Sequence, residues 1–140
     1  MYLIDTNVIS ELRKKGNINL GVKAFFAQAV KNGDAIYISV ITIGELRRGI
    51  ELIKYRGDVE QGRLLETWLN LVIDEYSENI LEFSHEDAQV WGRLRVPHPE
   101  NALDKQIAAT ALVYDLCVVT RNVDDFKSTG ANVLNPFSVL

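Results

Sequence analysis

The sequence predicts an α/β fold, a parallel central sheet of four to five strands flanked by helices. Three observations lead there. Short apolar runs that read as buried strands alternate along the chain with segments whose apolar residues recur every three or four positions. That alternation implies crossover helices and hence a parallel sheet. No internal repeat, low-complexity tract or linker-like stretch interrupts the 140 residues, which suit a single domain over 1–140.

Residues 2–4 form a short apolar run that meets Asp5-Thr6-Asn7, the pattern of a buried strand entering a helix. A helix is expected over 8–15, and a second over 22–30 that stops near Asn32-Gly33. Residues 35–39 (AIYIS) are the next buried strand. From Thr42, the apolar side chains Ile43, Leu46, Ile50 and Ile53 mark an amphipathic helix that ends around Arg56-Gly57. The helix expected over 59–75 carries Leu64, Leu65, Trp68, Leu69, Leu71, Val72 and Ile73, more apolar surface than one core-facing stripe requires. Burial against another chain and burial on both sides by its own domain both account for that surplus.

A third strand is expected over 80–83, and Ser84-x-x-Asp87 has the form of a helix N-terminus. That helix continues over 89–96 until Pro97-His98-Pro99 breaks it. Residues 104–115 (DKQIAATALVYD) make a helix of small side chains suited to close packing on a sheet. A fourth strand follows over 116–120, and 132–134 supplies a short fifth.

Composition narrows the function classes. Hydrophobic content of 47% and charged content of 24% are those of an ordinary globular protein, and three Pro with nine Gly exclude fibrous or disordered chains. The lone Cys117 sits in an apolar run and has no partner, so it reads as a buried structural thiol in a reducing compartment. Asp5 and Glu11 stand where a secretory signal would be basic and apolar, and no apolar run approaches bilayer-spanning length, so the expected location is cytoplasmic with no membrane association. A net charge of −4 and a pI near 5.2 are unusual for a nucleic-acid binder, and weigh against one unless the acids are concentrated in one place.

Their placement supports that concentration. In open parallel sheets, ligands bind at the carboxyl ends of the strands. Asp5 ends the first strand, Glu45 lies in the first turn of the helix after the second, and Asp125 follows the fourth with Asp124 and Asn122 beside it. Asp104 opens the helix before the fourth strand, on the same edge if that connection returns there. Singly, each fits a structural role: Asp5 as N-cap, Thr42-x-x-Glu45 as a capping box, Asp104 as a first-turn acid, Asp124 and Asp125 as turn residues. Jointly, four carboxylates on one edge repel unless a cation neutralises them, and an oxygen-only set selects Mg²⁺ or Mn²⁺.

The segments LIDTNVISEL (3–12), ISVITIGELRRGI (38–50), LDKQIAATAL (103–112), VVTRNVDDF (118–126) and LNPF (134–137), in this order and spacing, resemble PIN-domain endoribonucleases of the VapC type, with similarity to FitB-like toxins. The resemblance covers essentially the whole chain. It implies an acidic pocket binding one or two Mg²⁺ or Mn²⁺ ions, with Asp5, Asp104 and Glu45 as metal ligands. The family often has an acid where this chain has Asn122, so Asp125 is the candidate for the missing charge, and whether Asn122, Asp124 or Asp125 faces the metal stays open. Thr6, Asn7, Thr120 and Asn122 match polar residues that support the pocket.

The activity implied is phosphodiester hydrolysis of RNA, leaving 5′-phosphate and 3′-hydroxyl ends, with tRNA or another structured RNA as substrate. Arg121 beside the pocket and Arg48 after Glu45 are the candidate RNA contacts, whereas Arg13, Lys14 and Lys15 read as cations closing a helix. Also implied are a homodimer and a VapB-type antitoxin that inhibits the toxin, the complex binding operator DNA through the antitoxin. Neither His85 nor His98 has metal-ligand spacing, and Trp68 and Trp91 fit helix cores. Two rivals remain: a degenerate PIN domain that binds RNA or protein without catalysis, and a phospho-acceptor receiver domain, which would need a Lys where Thr120-Arg121-Asn122 stands.

Overall fold

The computed structural model describes residues 1–138. Among these residues, α-helices and strands alternate as expected: β1 (Tyr2–Ile4), α1 (Thr6–Glu11), α2 (Leu20–Asn32), β2 (Ile36–Ser39), α3 (Val40–Tyr55), α4 (Val59–Glu75), β3 (Ile80–Leu81), α5 (His85–Leu94), α6 (Ala102–Tyr114), β4 (Cys117–Val119) and β5 (Val133–Leu134). The strands form one sheet in the order β3-β2-β1-β4-β5, every neighbouring pair parallel. Strand order therefore reverses between β1 and β4, the kind of position where open α/β sheets bind ligands.

The two central strands split the core by simple alternation. Ile4 and Val119 face the side covered by Val8, Ile9, Leu46, Ile50, Leu65 and Leu69. Leu3 and Val118 face the other, against Ile107, Ala108 and Ala111 of α6. Small side chains on α6 let that helix lie close to the sheet, as its composition predicted.

Several boundaries differ from the sequence reading. The first helix stops at Glu11 instead of running to residue 15. Its last side chain turns the chain: the buried Glu11 carboxylate accepts the backbone N–H of Asn19 at 2.8 Å and the Lys14 ammonium at 2.9 Å. Arg13, Lys14 and Lys15 thus lie beyond the helix rather than closing it. The Thr42-x-x-Glu45 capping box is not formed, because Ser39 caps α3 by accepting from the N–H of Ile41 at 3.0 Å. Glu45 accordingly sits in the second turn. The Ser84-x-x-Asp87 capping box is present, with Ser84 and Asp87 bonding each other's backbone N–H.

The surplus apolar surface of the α3–α4 hairpin is only partly consumed within the chain. Leu65, Leu69 and Val72 are buried, while Val59, Leu64 and Leu71 each remain at least 60% exposed. Arg47 ties the hairpin together by reaching Glu66 of α4 at 2.6 Å. Among the described residues, no helix is long and apolar enough to cross a membrane.

Candidate active site

The site begins with strand register. Pairing of Ile4 with Val119 places the residues that follow them, Asp5 and Thr120, side by side at the carboxyl edge of the sheet. Asp5 is 5% exposed and Thr120 fully buried. Thr120 Oγ1 donates to Asp5 Oδ2 at 2.9 Å, and the backbone N–H of Thr6 donates to Asp5 Oδ1 at 2.8 Å. The two bonds fix the plane of the carboxylate and leave further lone pairs on both oxygens. Asp5 is thus both the N-cap of α1 and a functional candidate, and one geometry serves both readings.

Asn7 extends this network. Its amide nitrogen donates to Thr120 Oγ1 at 3.2 Å, and its amide oxygen accepts the backbone N–H of Arg121 at 3.0 Å. Thr120 Oγ1 in turn accepts the backbone N–H of Asn122 at 3.0 Å. The DTN of the first segment and the TRN of the fourth are stitched into one polar floor.

Over that floor lies a pocket of about 480 Å³, lined by Asp5, Thr6, Asn7, Glu45, Asp104 and Asn122 together with Ile41, Ile107 and residues 101–103. Because α6 runs back against β4, its first turn returns to the carboxyl edge and brings Asp104 opposite Asp5. Asn101 enters that helix in the left-handed conformation, at φ 57°. Sequence reasoning missed this residue, although Asn is one of the few non-glycine residues at ease there.

The carboxylates feel one another. Burial is the largest influence on Asp104, followed by the charges of Asp5 and Asp125 and a hydrogen bond shared with Asp125; together they push its carboxyl up to about 6. Burial likewise holds Asp5 above the ordinary carboxylate value, against the lowering effect of its bonds from Thr6 and Thr120 and with Glu45 and Asp125 adding repulsion. Asp125 therefore faces the acidic group from the 3-10 turn Val123–Phe126. Asp124 points away and pairs with Lys127 at 2.8 Å in solvent. Of the three, Asn122 alone lines the pocket.

Among the described residues no group of three or more His, Cys, Asp or Glu side chains is placed, as the side chains stand, to hold a metal ion. The acids instead line an open pocket and repel across it. Such a donor set, all oxygen and in excess of nearby cations, has the chemistry that would suit a hard divalent ion. Neither histidine nor Cys117 lines the pocket.

Of the two candidate RNA contacts, Arg121 is joined to the pocket through its backbone, whose N–H meets the pocket-lining Asn7, while its guanidinium lies over the ring of Phe137. Arg48 is exposed on α3, one turn beyond Glu45, and lines a separate hollow with Glu51, Leu52 and Tyr55 instead of the acidic pocket. Lys105, not singled out from the sequence, is 4% exposed, and its ammonium donates to the carbonyl of His98. Trp68 packs against the core as expected, whereas Trp91 is half-buried between Phe83 and Arg95, and its indole N–H donates to the carbonyl of Ala102 at 3.0 Å.

The family model of the PIN domain matches residues 2–132. The chain is 34% identical to toxin FitB of Neisseria gonorrhoeae, covering 98% of this chain and 99% of that protein. It is 28% identical to the VapC ribonuclease Y4jK of Sinorhizobium fredii, covering 98% of each. Among solved structures, FitAB bound to an IR36 DNA fragment superposes with a TM-score of 0.84 at 28% identity, covering 100% of this chain and 98% of that one.

Proposed function

The chain belongs to the PIN-domain family, and from that premise we propose that it is a Mg²⁺- or Mn²⁺-dependent endoribonuclease, the toxin of a type II toxin–antitoxin pair, acting as one domain over 1–140. The observation that carries this reading is the convergence of Asp5, Glu45 and Asp104 on one pocket, with Asp125 near enough for its charge to act on Asp5 and Asp104, both held above ordinary carboxylate values by burial and repulsion. Relatives named VapC ribonuclease and toxin FitB support the activity and the biological role.

In this reading Asp5, Asp104 and Glu45 hold the ion. When bound, the ion supplies Lewis acidity, polarising a phosphoryl oxygen and making water a stronger acid near neutral pH. Thr120 and the Thr6 N–H keep the Asp5 oxygens aimed into the pocket. Asp125 or Glu45 orients the attacking water and accepts its proton at a carboxylate oxygen. Asn7, Thr120 and Asn122 exclude alternative positions by tying the floor together. Arg121 at the rim attracts the RNA backbone, which offsets the acidic net charge of the protein.

The partners follow from the same premise. A VapB-type antitoxin covers the pocket and the exposed apolar residues Val59, Leu64 and Leu71 of the α3–α4 hairpin. The toxin forms a homodimer, and the complex reaches operator DNA through the antitoxin. Solved complexes of relatives, among them FitAB bound to DNA, support that arrangement.

The test is incubation of the antitoxin-free protein with total bacterial RNA in Mg²⁺ or Mn²⁺, followed by sequencing of RNA ends. Discrete cuts bearing 5′-phosphate, absent in EDTA, are expected. A folded protein that binds RNA and metal without cutting would replace the nuclease by a binding module, with Asn122 as the first residue to examine.

A further inference from the structure

The LNPF segment at 134–137 has no part in the acidic pocket, yet its Phe137 ring meets Arg121, the residue before the pocket-lining Asn122. Pro136 and Phe137 run alongside the start of α2, where Gly21 admits them: a Cβ at that position would collide with the Pro136 carbonyl. Asn19, the N-cap of α2, holds the same segment by donating to the carbonyl of Ser138 at 3.1 Å and accepting its N–H at 2.9 Å. Phe137, half-buried against the core around β1, is thereby fixed in position.

The guanidinium of Arg121 lies over that ring, 3.9 Å from its centroid. The backbone end of Arg121 is also fixed, because its N–H is held by Asn7, whose amide reaches Thr120 and through it Asp5. Among the described residues the guanidinium has no ion pair and no hydrogen-bond acceptor within reach, and the side chain is exposed. Glu11, whose field Arg121 shares, already spends its oxygens on Lys14 and Asn19. A long side chain at a rim would ordinarily lose much rotamer freedom on gripping a ligand. This one is pre-set at both ends, and its guanidinium carries five N–H donors in one plane.

We propose that Phe137 is a positioning residue: it is the back-stop that orients Arg121 as a rigid clamp for an RNA backbone phosphate entering or leaving the acidic pocket. The inference rests on the ribonuclease reading for its ligand class and deepens it. It assigns the LNPF segment a part in substrate binding, through the aromatic face that sets the plane of the guanidinium. The ring carries no charge of its own, so its contribution is visible only through Arg121.

The test is equilibrium binding of a fluorescein-labelled, mixed-sequence single-stranded RNA 12-mer in Mg²⁺ across a salt series. Asp5→Asn measured in parallel separates binding from cleavage. Arg121→Gln is expected to weaken binding about tenfold and to flatten the log–log salt slope by about 0.7, the value for one phosphate contact on a single strand. Phe137→Leu, which keeps bulk but loses the π face, reproduces most of the affinity loss, whereas Phe137→Tyr binds as wild type. Arg121→Lys keeps the salt slope and loses affinity. The Phe137→Leu/Arg121→Gln pair is no weaker than Arg121→Gln alone, and a melting temperature close to wild type shows that the fold survives. Full-strength binding by Phe137→Leu, additive losses in the pair, or no RNA binding by the wild type overturns the proposal. Loss of cutting by every protein with these binding effects intact overturns the nuclease and leaves the clamp standing.

Discussion

Thr120 donates its hydroxyl to Asp5 Oδ2 across 2.9 Å although 115 positions separate the two in the chain. The bond is made inside the sheet edge, between a fully buried hydroxyl and a carboxylate that is 5% exposed. It favours the charged form of Asp5 in a place where burial disfavours it. Thr120→Val keeps the shape and deletes the donor. Metal affinity is expected to fall about 10- to 100-fold, the usual cost of losing a partner that orients a ligand. Titration of Mn²⁺ into wild type and variant checks this, and equal affinities would contradict it.

Asp104 carries a linked stability effect. Its folded value near 6 stands above the reference of 3.8, so the protonated form is preferred in the fold. The corresponding stability is fully present below about pH 4 and is lost as pH rises towards 6. Asp104→Asn, which cannot ionise, therefore melts above the wild type in EDTA at pH 7.5, and the gap closes as pH falls to 4.5. Added Mg²⁺ raises the melting temperature of the wild type and not that of the variant. Melting curves at several pH values in EDTA and in Mg²⁺ decide the matter, and a gap that widens towards acid would contradict the account.

Asp124 and Asp125 are neighbours with opposite surroundings. Asp124 pairs with Lys127 in solvent, while Asp125 faces Asp104. Asp125→Asn is expected to lower the cleavage rate at least tenfold, by the weight of a general base or water-orienting group, and Asp124→Asn to leave it unchanged. Single-turnover rates on one RNA compare the two directly. A reversed order would move the functional acid to Asp124.

Lys105 holds the approach to α6. Its buried ammonium takes the His98 carbonyl, Arg95 takes that of Pro99 at 3.2 Å, and Trp91 takes that of Ala102. The three donors fasten the segment that leads into Asp104. Lys105→Ala is expected to cost about 2 kcal/mol, the scale of a charged hydrogen bond, and to speed hydrogen exchange over residues 96–104. Urea unfolding and exchange measurements check the two parts separately, and unchanged exchange there would show that the segment is held without Lys105.

What the sequence disclosed depended on how local the cause was. Strands with two apolar faces, such as Tyr2–Ile4 and Cys117–Val119, and helices with a regular apolar period are written in consecutive residues and were legible. Asp5 and Asp104 were legible because a strand end and a helix start place them on one edge. Glu45 reached the pocket for a different reason than expected, since Ser39 caps α3 and the Thr42–Glu45 pattern falls inside the helix. The bond between Thr120 and Asp5 depends on the parallel register of β1 with β4, a tertiary fact with no local signature. Lys105 was missed because a lysine in a first helical turn is by default a solvated one. The stacking of Arg121 on Phe137 needs residues 136–138 to return to α2, which Gly21 permits but does not announce.

The most direct test of the account is the single-turnover rate of RNA cleavage in Mn²⁺ by wild type, Asp5→Asn and Asp104→Asn, each checked for folding by its melting curve. The expected result is cutting by the wild type, its loss in EDTA, and a fall of about 100- to 1,000-fold in both variants, the scale of removing a charge-stabilising group from an active site. Variants that cut at the wild-type rate, or a wild type that cuts equally in EDTA, would contradict the assignment of the acidic pocket as the catalytic centre.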